Sequence, residues 1–104
     1  MLAFMAMHPN LQPNVFLKEA PFEEVQFFSN SDIYKRGVAF YNSQFANLTE
    51  GGMYFEKSAT YFESPLAALR MSALVPKARI IVLLRDPLIR ALSWYQVSAY
   101  YHYC

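Results

Sequence analysis

The chain has 104 residues, of which 55% are hydrophobic and 16% charged, a composition that is typical of one domain with a buried core and excludes a disordered chain. Nine Lys and Arg against eight Asp and Glu leave a formal net charge of +1. The chain as a whole therefore has no excess charge with which to bind nucleic acid or an anionic membrane surface. The chain has a single cysteine, Cys104, which excludes an internal disulfide. Because the whole chain has only two histidines in addition, we expect no metal site.

The first residues are apolar but predict neither a membrane span nor a leader. The uncharged stretch 1–17 is interrupted by Pro9 and Pro13 and lacks the basic start of a secretory signal. Residues 1–7 favour a helix, and 10–20 are typical of a loop. The helix formers at the start have no capping residue before them, and residues 100–104 end without a helix-terminating glycine. We therefore expect a fragment of a longer protein.

The middle of the chain alternates short elements with polar loops. Residues 21–28 are aromatic and bounded by turn residues, which favours a strand or an ordered loop. Polar residues at 29–32 provide a helix N-cap, and apolar side chains recurring every three or four positions predict a helix over 33–45. Residues 47–52 form a predicted polar loop, and 53–56 a short strand.

The last third has the order helix, strand, helix. The Ser-Pro pair at 64–65 is an N-cap followed by proline at the first helical position, which predicts a helix over 66–75. In residues 79–84, an arginine is followed by five isoleucine, valine and leucine residues. This is the pattern of a strand buried on both faces of a parallel sheet. An Asp-Pro pair at 86–87 then begins a second helix. This order indicates an α/β fold.

The turn after residues 79–84 is a candidate anion site. Arg85 would be the first residue past the carboxyl end of the strand, where ligands bind in open α/β sheets. The free amides at the start of the next helix favour an anion, and Ser93 lies two turns along that helix with a hydroxyl to donate. Together these groups suit a phosphate monoester. The alternative is an ordinary turn with a solvated surface arginine.

Residues 85–95 (RDPLIRALSWY) resemble the 3′-phosphate-binding motif of sulfotransferases that use 3′-phosphoadenosine 5′-phosphosulfate as donor. Residues 74–78 and 93–96 are most similar to the sulfotransferase domain of heparan sulfate N-deacetylase/N-sulfotransferases. The resemblance extends from residue 1 to about residue 96. Other segments that resemble the heparan sulfate branch, in order, are 7–9, 22–28, 34–37 with Tyr41, and 55–62.

The resemblance implies an α/β fold, namely a fragment of a P-loop-like three-layer sulfotransferase fold with a central parallel sheet. Residues 1–104 would be a single partial domain, the N-terminal half, without the 5′-phosphosulfate loop and the C-terminal half. The implied co-substrate is 3′-phosphoadenosine 5′-phosphosulfate, with no metal. The implied partner is heparan sulfate or heparosan, with no nucleic acid and no membrane contact by this segment. The implied location is the Golgi lumen, in a parent that is a type II membrane protein.

The resemblance also implies roles for five residues. Glu24 would be the base that takes a proton from the glucosamine amine, and its apolar neighbours predict a raised carboxyl pKa. Arg85 and Ser93 would bind the 3′-phosphate of the donor. Lys57 and Trp94 would contact the acceptor.

Each of these roles has a plain alternative. Glu24 could face solvent, Lys57 could be an ordinary surface lysine, and an aromatic residue at helical spacing, such as Trp94, is often part of a core.

Arg90 is predicted to pair with Asp86, four residues earlier on the same helix.

Three functional hypotheses remain open at this point. The first is an N-sulfotransferase fragment whose isolated chain is inactive and poorly soluble, although Val97 stands where that branch has a histidine. The second is a 3-O-sulfotransferase fragment, against which residues 94–96 argue. The third is a non-catalytic remnant that binds nucleotide or glycan. An Asn-Leu-Thr sequon at Asn47 predicts a glycoprotein.

Overall fold

The computed structural model describes residues 2–14, 24–45 and 50–103. In this part of the chain, no helix combines the length and the apolar character needed to cross a bilayer. The elements in chain order are α1 (Leu2–Ala6), β1 (Leu11–Pro13), α2 (Ser31–Tyr34), α3 (Gly37–Ser43), β2 (Met53–Phe55), a 3₁₀ turn (Ala59–Tyr61), α4 (Pro65–Leu74) and α5 (Pro87–Tyr103).

Strands β1 and β2 pair in parallel, with Gln12 opposite Tyr54 at the centre of the register. The mixed helix and strand composition with a parallel sheet is thereby confirmed, and so is the predicted strand at 53–56. The prediction of a loop over 10–20 was wrong at β1. Three residues are too few to display an alternating pattern, and Pro13 is tolerated because each strand of a two-stranded sheet is an edge strand.

The helices with a cap-plus-proline start were predicted correctly. Ser64 Oγ accepts the Ala67 N–H at 3.2 Å, and α4 ends one residue before the predicted boundary. Helices α1 and α5 also lie where the sequence predicts them.

The single helix predicted over 33–45 is instead two short helices, α2 and α3. The N-cap prediction holds, because Asn30 Oδ1 accepts the Asp32 and Ile33 N–H groups at 2.9 and 3.2 Å. Gly37 has φ +82°, a left-handed conformation that interrupts the helical hydrogen-bond ladder and that glycine adopts without strain. Apolar spacing continues through such a break, which is why the pattern did not reveal it.

The strand predicted over 79–84 is wrong for this structure. Residues 78–86 have no regular secondary structure, and the exposed fractions of Ile80 and Leu84 are 69% and 80%. A strand requires a neighbour for its N–H and C=O groups, and no described residue pairs with this run. For residues 21–28, the described part from 24 onward is an ordered loop and turn, not a strand.

The core is aromatic and forms around that loop. Val25, Phe27 and Phe28 are buried together with Ala67 of α4. The Phe28 ring centroid lies 5.1 Å from those of Phe27 and Tyr41, in edge-to-face geometry, an arrangement that favours aromatic pairs. The partly buried residues packed against this cluster are Ile33, Tyr34, Phe40, Tyr41, Tyr61, Met71, Leu74 and Val75.

Candidate functional site

Two segments without strand structure lie against each other beyond the carboxyl end of β2. One segment is the loop 24–29, and the other is 56–61, which begins directly after the strand. The carboxyl ends of parallel strands are the usual position of ligand sites in α/β proteins. Lys57 is placed just after a strand, as the sequence predicts.

Glu24 and Lys57 meet in this place, although they are far apart in sequence. The Lys57 ammonium donates to Glu24 Oε1, and the Ala59 N–H donates to Glu24 Oε2 at 2.9 Å. The exposed fractions of the two side chains are 13% for Glu24 and 40% for Lys57. The carboxylate is therefore held at both oxygens, and the lysine is the more exposed side chain of the pair.

Further hydrogen bonds join the two segments. The Gln26 N–H donates to Ser58 Oγ at 3.0 Å, and the hydroxyls of Ser29 and Thr60 lie 2.7 Å apart. Gln26 has φ +50°, a left-handed conformation that is uncommon for a residue other than glycine. These bonds hold the loop in that conformation two residues after Glu24.

The electrostatics of Glu24 differ from the prediction. Partial burial raises the carboxyl pKa, as predicted, but the Lys57 ammonium, the Ala59 N–H and the Gln26 side chain together outweigh it. The net pKa of Glu24 lies below its ordinary value of 4.5, because these partners stabilise the charged form. Apolar neighbours in sequence predicted the burial, but a partner 33 residues away could not be inferred from them.

Replacing Lys57 by methionine is expected to raise the pKa of Glu24, because burial remains when the ammonium is removed. In the wild type, the ion pair stabilises the fold above the ordinary carboxyl pKa of 4.5, and this contribution is lost as the pH falls through the lower, folded-state pKa. Carboxyl ¹³C NMR, with Glu24 assigned by its glutamine variant, measures the shift.

The matched control is Lys35→Met. Lys35 pairs with Asp32 at 3.3 Å, but the two side chains are 75% and 92% exposed, and exposed pairs contribute little. This variant is expected to leave the Glu24 titration unchanged. An unshifted Glu24 pKa in Lys57→Met would contradict the proposed pairing.

Glu56, the residue before Lys57, has two phenol partners. The hydroxyls of Tyr41 and Tyr61 donate to Glu56 Oε1 at 3.0 and 3.1 Å. Burial raises the pKa of Glu56 despite these hydrogen bonds, and it also raises the pKa values of both tyrosines. These three residues have no predicted role, although all three lie in segments that carry the family resemblance.

A separate cavity lies at the start of α5. Its volume is about 340 Å³, and it is lined by Arg85, Pro87, Arg90, Ala91 and Trp94. Two arginines and a tryptophan therefore line one cavity, and in the described part of the chain neither arginine pairs with a carboxylate. This combination suits an anionic ligand that also carries a flat or apolar surface.

Two details of this turn correct the predictions. Asp86 Oδ1 accepts the Leu88 and Ile89 N–H groups at 2.9 and 3.1 Å, so these amides are not free for an anion. Asp86 is thus a helix cap, as the Asp-Pro pair predicts. The predicted Arg90–Asp86 ion pair is not among the ion pairs of the described residues, and Arg90 lines the cavity instead. Capping satisfies unpaired helix amides, whereas an exposed ion pair gains little.

The predicted site residues fall into two groups. Glu24 and Lys57 are in contact, whereas Arg85 and Trp94 share the cavity, which neither Glu24 nor Lys57 lines. Ser93 is half-buried on α5 and does not line the cavity; it follows Arg90 by three residues, about 60° around the helix. Trp94 is 75% exposed, so it is not a core residue in this structure. Asn47 lies outside the described residues.

Comparison with known proteins gives consistent matches along the chain. The family model described as "Sulfotransferase domain" matches residues 1–103. The chain is 46% identical over 94 residues to bifunctional heparan sulfate N-deacetylase/N-sulfotransferase 1 of Caenorhabditis briggsae, covering 90% of this chain and 10% of that protein. It is 45% identical over 95 residues to the Homo sapiens protein of the same name, covering 89% and 10%.

A third relative has the same kind of name. The chain is 47% identical over 96 residues to bifunctional heparan sulfate N-deacetylase/N-sulfotransferase 4 of Mus musculus, which covers 89% of this chain and 11% of that protein. The chain spans about a tenth of the length of the curated relatives it matches.

Proposed function

The chain belongs to the sulfotransferase domain family, and on that premise we propose that it is part of a heparan sulfate N-sulfotransferase. The enzyme would transfer the sulfuryl group of 3′-phosphoadenosine 5′-phosphosulfate to the glucosamine nitrogen. The observation that carries this proposal is the Glu24 carboxylate, held by Lys57 and the Ala59 N–H beyond the end of a parallel strand. Relatives named as N-deacetylase/N-sulfotransferases support the choice of acceptor.

In the proposed reaction, the glucosamine nitrogen attacks the sulfur and forms the N–S bond. The bond from sulfur to the bridging phosphate oxygen breaks, and adenosine 3′,5′-bisphosphate leaves with the electron pair. Glu24 accepts the proton that the amine gives up. Its lowered pKa leaves the carboxyl ionised at neutral pH, which is the state that a proton acceptor requires.

Lys57 has a second proposed task at the acceptor. Its side chain is 40% exposed, against 13% for Glu24. An ammonium group with this exposure can also bind a carboxylate or sulfate of the glycan.

We propose that Arg85 and Ser93 hold the 3′-phosphate of the donor and that Trp94 packs against the acceptor. Arg85 lines the cavity without a carboxylate partner in the described part of the chain, which leaves its guanidinium available to a phosphate. Trp94 is exposed and lines the same cavity. The donor is the reaction's sulfuryl source, and no metal enters the proposed chemistry.

The variant Arg85→Ala is expected to weaken binding of adenosine 3′,5′-bisphosphate about 10-fold or more, because a charge-assisted hydrogen bond to phosphate is lost. Binding of adenosine 5′-monophosphate, which lacks the 3′-phosphate, should stay unchanged. Titration calorimetry on the full-length protein measures both. Arg79→Ala, six residues earlier, is the matched control, and equal losses for the two nucleotides would contradict a 3′-phosphate contact.

The proposal extends to the fold and the location. Residues 1–104 form the N-terminal half of one sulfotransferase domain with a three-layer, P-loop-like arrangement around a central parallel sheet. In that arrangement the apolar run 79–84 gains the strand neighbours that it needs. The proposed location is the Golgi lumen, in a glycosylated type II membrane protein, with which the sequon at Asn47 is compatible.

Product analysis tests this function. Full-length protein is incubated with ³⁵S-labelled donor and de-N-acetylated heparosan, and the digested disaccharides are separated. Label on the glucosamine nitrogen is the expected result, and in sealed Golgi vesicles the activity should appear only after detergent treatment. Label at the 3-O position would favour the 3-O-sulfotransferase alternative. Binding of the donor without label transfer would favour a non-catalytic role.

A further inference from the structure

We propose that Glu56 is a positioning residue of this site: its carboxylate, bonded by the hydroxyls of Tyr41 and Tyr61, fixes the segment whose Lys57 and Ala59 hold Glu24. The inference rests on the proposed role of Glu24 as the base. Glu56 does not touch the reacting atoms in this proposal, because it acts through its neighbours along the chain.

The geometry joins three elements at one oxygen atom. Tyr41 comes from α3 and Tyr61 from the 3₁₀ turn, while Glu56 directly follows β2, and both hydroxyls meet at Glu56 Oε1 at 3.0 and 3.1 Å. The backbone that carries Lys57 and Ala59 therefore lies between two anchored points, Glu56 and Tyr61. Residues 56–58, which have no regular secondary structure of their own, are thereby given a defined position.

The phenols are themselves fixed by the core. The Tyr41 ring stacks on Phe27 with centroids 4.6 Å apart, and the Tyr61 ring packs edge-on to Phe28 at 5.6 Å. The Phe28 N–H also points at the Tyr61 hydroxyl, at 3.5 Å. Because Phe27 and Phe28 belong to the loop that carries Glu24, the same two tyrosines contact both sides of the Glu24–Lys57 pair.

The two oxygens of the Glu56 carboxylate differ in their surroundings. Glu56 Oε2 is buried and has no hydrogen-bond partner within the described part of the chain. A buried polar atom without a partner is unfavourable, and such exceptions are few in folded proteins. The groups that face the carboxylate are Tyr41 from α3 and Tyr61 from the turn, and the adjacent Lys57 ammonium is directed to Glu24.

The test compares three variants of the full-length protein. In Glu56→Gln, the amide oxygen still accepts both phenol hydrogens, so kcat is expected to stay within about 3-fold of wild type. In Glu56→Ala and in Tyr61→Phe the anchor is lost, and kcat is expected to fall about 10-fold with little change in the KM for the donor. The acidic limb of the kcat–pH profile should move to higher pH, because Lys57 and Ala59 no longer hold the Glu24 carboxylate.

The control variant is Tyr34→Phe, which removes a hydroxyl from another tyrosine packed on Phe27 but does not touch Glu56. It should leave the kcat–pH profile unchanged. Tyr61→Phe deletes a single atom, so the proposal can be judged even where Glu56→Ala does not fold. A lower melting temperature with wild-type kcat and pH profile, in Glu56→Ala or Tyr61→Phe, would overturn the proposal.

Failure of the proposed function has a different signature. If the wild-type protein transfers no sulfuryl group, the ¹³C NMR titration of Glu24 still decides the positioning role. Under the proposal, Tyr61→Phe raises the Glu24 pKa, whereas Tyr34→Phe does not. Identical titrations of Glu24 in the two variants would rule out positioning by Glu56 whatever the activity is.

Discussion

Glu24→Gln is expected to lower kcat about 100-fold or more in the full-length protein, which is the usual loss when a general base is removed. The change keeps the size and shape of the side chain and removes its capacity to take a proton, although it also removes the ion pair with Lys57 and replaces one of the two accepting oxygens by an amide NH2. Because substrate binding does not depend on that proton transfer, KM should change little. Steady-state kinetics with labelled donor and a de-N-acetylated acceptor give both constants.

The matched control for this variant is Glu63→Gln. Glu63 is exposed and lies near the same segment in sequence, so the substitution makes the same chemical change outside the site. Its kcat is expected to equal that of the wild type. Wild-type kcat in Glu24→Gln would show that Glu24 is not the base, provided that the variant melts as the wild type does.

Phe28→Ala is expected to destabilise the fold by about 3–5 kcal/mol, the usual cost of removing a buried phenylalanine ring. Phe28 is 0% exposed, and its ring packs on Phe27, Tyr41 and Tyr61. The loss has a second consequence, because Tyr61 is one of the two phenols that hold Glu56. Urea unfolding of the wild type and of Phe28→Ala, monitored by tyrosine fluorescence and circular dichroism, measures the difference in the free energy of unfolding.

Phe62→Ala provides the comparison for that result. Phe62 is 75% exposed, and substitutions at exposed positions usually change stability by about 0.5 kcal/mol or less. The same aromatic ring is removed in both variants, so the difference between them reports burial. Equal unfolding midpoints for Phe28→Ala and wild type would contradict the aromatic core around residues 25–28.

Local signals in the sequence located most of the helices. The cap-plus-proline pairs at 64–65 and 86–87 mark the starts of α4 and α5, because a side-chain oxygen and a fixed proline φ act within one turn of the chain. The break between α2 and α3 was missed, since the apolar spacing continues through Gly37 in its left-handed conformation. Strand β1 was missed because three residues display too little pattern.

Strand prediction over 79–84 failed for a different reason. The β-branched and leucine side chains indicate a preference for extended, buried backbone, but pairing is a property of two segments, and no described residue pairs with this run. The candidate site shows the same difference between what one segment indicates and what two segments form together. Glu24 and Lys57 could be named from their segments, yet their contact, which lowers the pKa of Glu24, joins residues that are 33 positions apart.

The sequence by itself determined the mixture of helices and strands, the caps of the long helices, the family resemblance and the identity of the candidate residues. These depend on interactions within a few residues or on motifs that are read along the chain. Only the tertiary structure decided which groups meet: Glu24 with Lys57, Glu56 with Tyr41 and Tyr61, and Arg90 with the cavity in place of Asp86. The physical reason is that burial and charge at these atoms are set by side chains that packing brings together from distant parts of the chain.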